Sequence, residues 1–202
     1  MATTFLQLQA EFYARGHNFL TESAEGIVRA KRWINQAYEK VCSEELWPFR
    51  LATATGAAPL TIADVDKILS VINTANASME LIEATERELT IANLSTTGVP
   101  YVYWLDGTIV KTWPVGGTLS VRYFKVPAEF SADGDVMLVP DRFADVIIDD
   151  AVRRAAKDRQ YQEGVALAAQ EYADGLEMMR RQLLTAPTKI RRMPWVHEDY
   201  GA

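Results

Sequence analysis

Between residues 25 and 46 apolar side chains recur every three or four positions, at Ile27, Ala30, Ile34, Ala37, Tyr38, Val41 and Cys42. This spacing predicts a helix over residues 25–46 with one buried face. Ser23 or Thr21 can cap it, and Glu25 suits the positive end of its dipole. The run stops at Trp47-Pro48-Phe49, because Pro48 has no N–H to continue the ladder and biases Trp47 toward an extended backbone. A shorter helix is expected over residues 5–15, closed by Gly16.

From Phe49 to Phe130 the texture changes to β-branched and aromatic runs broken by Gly, Pro, Asn and Asp, as in a small all-β unit. Strands are expected near residues 49–55, 67–73, 80–84, 101–105, 108–113 and 118–126. Asp106-Gly107 supplies the positive φ angles of a tight hairpin turn, and Pro114-Val115-Gly116-Gly117 supplies a second turn. The last three strands are therefore expected to form a meander. Thr118-Leu119-Ser120-Val121-Arg122-Tyr123 alternates polar and apolar, as a half-exposed strand should.

After Val139-Pro140 the pattern is helical again as far as Leu184, with Asp141 as the expected N-cap. Phe143, Ile147, Ala151 and Ala155 form one stripe, and Ala169, Tyr172, Leu176, Met179 and Leu183 another. A turn near residues 161–164 would fold this length into two antiparallel helices. Pro187 and Pro194 bracket Thr188-Lys189-Ile190-Arg191-Arg192-Met193, which reads as an extended arm. The expected fold class is α+β: an N-terminal helical part, a small antiparallel β-unit, a C-terminal antiparallel helical hairpin and the arm. Residues 1–186 make one domain (1–47, 48–130 and 140–186), and residues 187–202 are the arm.

Composition narrows the classes. The 202 residues are 49% hydrophobic and 24% charged, which excludes disorder, collagen-like repeats and a disulfide scaffold. A chain of this size buries roughly 70% of its unfolded surface, enough for one sizeable core and a smaller satellite. Cys42 is the single cysteine and has no internal partner. The first residues lack a basic stretch, and no later run approaches about 18 apolar residues, so a soluble, unprocessed chain without a membrane span is expected. A net charge of -6 argues against nucleic-acid binding through the general field.

No catalytic residue, cofactor or metal site is expected. Cys42, His17 and His197 have no paired-ligand spacing, no Gly-x-Ser-x-Gly elbow occurs, and Gly116-Gly117-Thr118 lacks the lysine and helix of a phosphate loop. The paired acids Asp64 and Asp66, the run Glu80, Glu83, Glu86, Glu88, and Asp149-Asp150 read as charge on solvated faces. Adjacent helical residues also point about 100° apart, so Asp149 and Asp150 do not converge on one atom. Trp33, Trp47, Phe49, Tyr101, Trp113, Phe143 and Tyr172 are expected in the structural core. In the tail, Lys189, Ile190, Arg191, Arg192, Met193 and Trp195 combine cations with apolar anchors, the chemistry of a peptide arm that docks on a partner.

Several short motifs in a fixed order resemble the head-to-tail adaptor (head completion, connector) proteins of tailed bacteriophages. They are Trp33-Ile34-Asn35-Gln36-Ala37-Tyr38 leading to Trp47-Pro48-Phe49, Thr97-Gly98-Val99-Pro100-Tyr101, and Trp113-Pro114 ahead of Leu119 to Pro127. Val139-Pro140-Asp141-Arg142-Phe143 then opens the helices and Glu171 to Met179 closes them. The resemblance implies a virion structural protein of the neck, assembled in the host cytoplasm. It implies a ring of about twelve copies beneath the portal protein, extending the DNA channel and presenting a docking surface to a tail-side protein. Such a ring would carry roughly -70 charges, letting DNA slide without sequence-specific binding. The arm from Pro187 would dock on the portal. Segment 1–23, with Phe5, Leu8, Phe12 and Phe19, is longer and more apolar than a lead-in requires. Three other readings are a tail-completion or terminator ring, a β-sandwich carbohydrate-binding module using Trp104 and Trp113, and an acid/base hydrolase pairing Glu80 or Glu83 with Asp64 or Asp66.

Overall fold

The structure is a computed structural model that describes residues 2–16, 23–75, 79–84 and 96–184. Among the described residues four helices form one layer: α1 (Phe5–Gly16), α2 (Ala24–Ser43), α3 (Ala144–Asp158) and α4 (Gln162–Leu183). Ser23 caps α2, its Oγ accepting from the Gly26 N–H at 3.1 Å. The helix ends at Ser43, three residues before the expected stop, and Trp47 turns back beneath it. The indole Nε1 donates to the Val41 carbonyl at 2.7 Å, satisfying an end-of-helix acceptor and burying the ring completely. A 3₁₀ turn over Pro48–Arg50 then feeds the first strand.

The α1 segment packs inside the molecule. Phe5, Leu8 and Phe12 are buried, and the Phe5 ring stacks on Phe130 at 5.0 Å; Phe19 lies outside the described residues. Gln9 donates to Asp133 Oδ1 at 3.1 Å, and the Phe5 N–H donates to the Asp135 carbonyl at 2.8 Å, so the 131–135 loop holds the helix start. Asp141 does not cap a helix by its side chain. It opens a 3₁₀ turn (Asp141–Phe143), and its carboxylate accepts from the Thr3 N–H at 2.6 Å. The helical hairpin turns at Arg159–Tyr161, where Gln160 adopts φ 57°, one step before the expected position.

Among the described residues eight strands form two four-stranded sheets: β1 (Leu51–Ala57), β2 (Leu60–Thr61), β3 (Val65–Asn73), β4 (Met79–Glu80), β5 (Ile82–Glu83), β6 (Val102–Asp106), β7 (Ile109–Trp113) and β8 (Thr118–Lys125). One sheet runs β1-β8-β3-β4 and the other β2-β7-β6-β5. The β6-β7 hairpin closes at Asp106-Gly107, with Gly107 at φ 60°, as expected. The meander does not form. Gly116 and Gly117, at φ 149° and 82°, carry the chain out of the β7 sheet, and β8 inserts between β1 and β3 of the other. The expected strand over 80–84 is likewise split: β4 pairs with β3, while β5 pairs with β6 in parallel, so the β-unit is not wholly antiparallel.

Two cores result. Val71, Leu119, Val121 and Tyr123 from one sheet meet Tyr103 and Val110 from the other, closing a small sandwich interior. The larger core joins all four helices with Trp47, Phe130, Met137 and Val139. The architecture is α+β.

Candidate functional site

Arg50 sits where the two layers meet. Its guanidinium is 3% exposed and fans three ways: Nη1 to the Cys42 carbonyl at the end of α2 (2.8 Å), Nε to the Lys125 carbonyl at the end of β8 (2.8 Å), and Nη2 to the Asp66 carboxylate of β3. A planar fork with fixed donors suits such a junction better than a flexible ammonium. Cys42 beside it is buried, and burial pushes its thiol up to about 12, which removes it as a nucleophile near neutral pH.

Directly outside this junction a groove of about 550 Å³ runs between α2 and residues 126–129. Tyr38 lies at its base, its hydroxyl accepting from the Leu138 N–H at 3.1 Å. Asn35 holds the far wall by a reciprocal pair with Phe130: its amide donates to the Phe130 carbonyl (3.0 Å) and its Oδ1 accepts from the Phe130 N–H (2.9 Å). Leu46 and Val126 are exposed along the groove, and Glu39 and Glu129 are exposed beside them.

The adjacent acids of α3 are not solvated charge. Asp150 is completely buried and is held by Arg153, by Arg154 Nε at 2.6 Å and by Lys40 Nζ at 3.5 Å. Burial pushes its carboxyl up, but the guanidinium bonds outweigh this and leave it below the usual carboxylate range. Asp149 points away toward Arg15 of α1. Burial raises it to about 6, against the pull of Arg15 and with the push of Glu171 and Asp145. Lys40 Nζ also lies 4.4 Å over the ring of Tyr172, whose hydroxyl donates to Glu44 Oε1 at 3.1 Å, and further along α4 Arg180 Nε donates to Glu45 at 3.0 Å.

Among the described residues the remaining acid pairs are not brought together; Glu86 and Glu88 lie outside those residues. Asp64 accepts from the Tyr123 hydroxyl at 3.0 Å, and Asp66 is taken by Arg50. Glu80 lies opposite Ile72 at the far end of β3, about 20 Å from Asp66 at strand spacing, and Glu83 belongs to the other sheet. Among the described residues no group of three or more His, Cys, Asp or Glu is placed to hold a metal ion. No helix among them is long and apolar enough to cross a membrane.

Of the aromatic residues expected in the core, Trp47, Phe143 and Tyr172 are buried, while Trp33 and Phe49 are half-buried against the helical core. Trp113 is half-buried on β7. Tyr101 corrects the expectation. It precedes β6, its backbone bonded to Trp113 on one side and Ile82 on the other, and its ring remains 45% exposed and meets Trp113 edge-on at 5.0 Å. Lys189, Ile190, Arg191, Arg192, Met193 and Trp195 of the arm, and both histidines, lie outside the described residues. Sequence reasoning named Asp66 but missed Arg50, whose signal was a lone cation directly after Trp-Pro-Phe and before a strand.

The described residues thus form a helical layer of α1, α2 and an α3–α4 hairpin, joined through the buried Arg50 to a two-sheet β-unit. The family model for SU10 adaptor protein matches residues 3–193. The chain belongs to the SU10 adaptor protein family. It is therefore an adaptor-type structural protein of a phage virion. No curated protein matches this adaptor closely enough to add a named relative. The matched residues take in the helical layer and the β-unit described above.

Proposed function

We propose that this adaptor assembles as a ring of about twelve copies beneath the portal, extends the DNA channel and offers its outer end to the tail. The observation that carries the reading is the family match over residues 3–193, which takes in the helical layer, the β-unit and the arm as far as Met193. A ring of identical chains closes through a heterologous interface, in which two different patches of each copy meet. The arm from residue 187 docks on the portal, with Ile190, Met193 and Trp195 as apolar anchors and Lys189, Arg191 and Arg192 as charged contacts. The β-unit then faces the tail-side neck protein. The net charge of -6 per copy gives a channel wall that repels DNA and lets it slide.

The arm assignment is tested by deleting residues 187–202 and measuring co-sedimentation with the portal ring of the same genome. The truncated chain should keep the far-UV circular dichroism of the full chain and lose portal binding. Retained binding by a folded truncation contradicts the assignment.

A further inference from the structure

We propose that the groove between α2 and residues 126–129 is the seat of this chain's own basic segment, residues 188–193, in the free protein, before a docking partner is met. The proposal rests on the reading of residues 187–202 as a docking arm.

The groove is built before anything enters it. The Asn35–Phe130 pair fixes one wall and the Arg50 fan fixes the end at Asp66, so no main-chain rearrangement is needed to open the space. Its lining offers apolar surface to solvent, with Leu46 at 41% and Val126 at 49% exposure. The charge beside it is uncompensated: Glu39 and Glu129 form no ion pair among the described residues, and the one cation in the lining, Arg50, is spent on Asp66 and two carbonyls. A groove with apolar lining and acidic rim fits a segment that carries both apolar and cationic side chains. Thr188-Lys189-Ile190-Arg191-Arg192-Met193 has that composition.

Reach selects this chain as the donor. Arg180, in the last turn of α4, is tied to Glu44 and Glu45, which lie between the groove residues Ser43 and Leu46. The chain therefore leaves α4 at Leu183 beside one end of the groove. The six Cα–Cα steps from Leu184 to Ile190 can span up to about 20 Å, enough to lay the segment along it.

Trypsin cuts after Lys189, Arg191 and Arg192, so the full-length chain in isolation reports the seat directly when early cleavage is followed by mass spectrometry. The double variant Glu39→Gln/Glu129→Gln removes the charge of two exposed side chains and adds no site for trypsin. It should release the arm at least five-fold faster than the parent, with unchanged circular dichroism and unchanged cutting elsewhere. Raising salt to 0.5 M should speed the parent in the same direction, because screening weakens the rim charges. Equal arm cleavage in parent and variant overturns the proposal. Protection that grows with protein concentration places the arm on a second copy and overturns it too. No portal is present in this experiment, so its failure leaves portal docking by the arm untouched.

Discussion

The Nη1 of Arg50 donates to the carbonyl of Cys42 across 2.8 Å, and this bond ties the last turn of α2 to the root of the β-unit. Two further bonds from the same guanidinium reach Lys125 and Asp66. Arg50→Ala removes all three and leaves two carbonyls without partners, at a cost of about 3 kcal/mol. The helical and sheet layers should also lose their common transition. Urea unfolding followed by tryptophan fluorescence and by far-UV circular dichroism checks both, and coincident curves with an unchanged midpoint would contradict the role.

Asp150 should be less tolerant than Asp66. It is fully buried among Arg153, Arg154 and Lys40, so Asp150→Ala strands cations around an empty site and should cost about 3–5 kcal/mol. The Asp66 side chain is 44% exposed, and Asp66→Ala leaves the buried Arg50 guanidinium with its two carbonyl acceptors, so it should cost about 2 kcal/mol. Chemical denaturation of the two variants under one condition decides the order.

Asp149 gives the stability a distinct pH dependence. Burial lifts its folded-state value to about 6, above the unfolded carboxylate near 3.9, so the folded chain holds an extra proton in between. By linkage its contribution is fully present below about pH 4 and is lost as pH rises through 6. Asp149→Asn should therefore raise the melting temperature at pH 8 and change it little at pH 4.5, with the loss of the Arg15 pair reducing the gain. A variant equally or more destabilised at pH 8 than at pH 4.5 would contradict this.

The crossing from β7 to β8 depends on Gly117. Its φ is 82°, and a Cβ there would lie 2.8 Å from Asn73 Oδ1, whose residue is fully buried. Gly117→Ala should cost about 1–3 kcal/mol, measured as a lowered urea midpoint.

The helices were legible because burial imposes a period that a single chain displays. Ala30, Ile34, Ala37 and Val41 mark the buried stripe of α2 in sequence and in space. The strands were legible for the same reason, and Leu119, Val121 and Tyr123 do point inward. Partner choice was not legible, since alternation says which face is apolar and not which strand lies beside it. The β8 strand therefore left the expected meander for the other sheet. Asp149 and Asp150 looked solvated because a carboxylate is buried only when cations cover it. Arg15 and Lys40 come from more than a hundred residues away. Arg50 was missed on the same ground, and the arm lies outside the described residues.

The most direct measurement is electron microscopy of this chain mixed with the portal ring of the same genome, at concentrations well above micromolar. Rotationally symmetric density added at one end of the portal, fitted by the helical layer and β-unit, is the result expected of a ring-forming adaptor. A portal left unchanged under those conditions would contradict the proposed place of this protein in the virion.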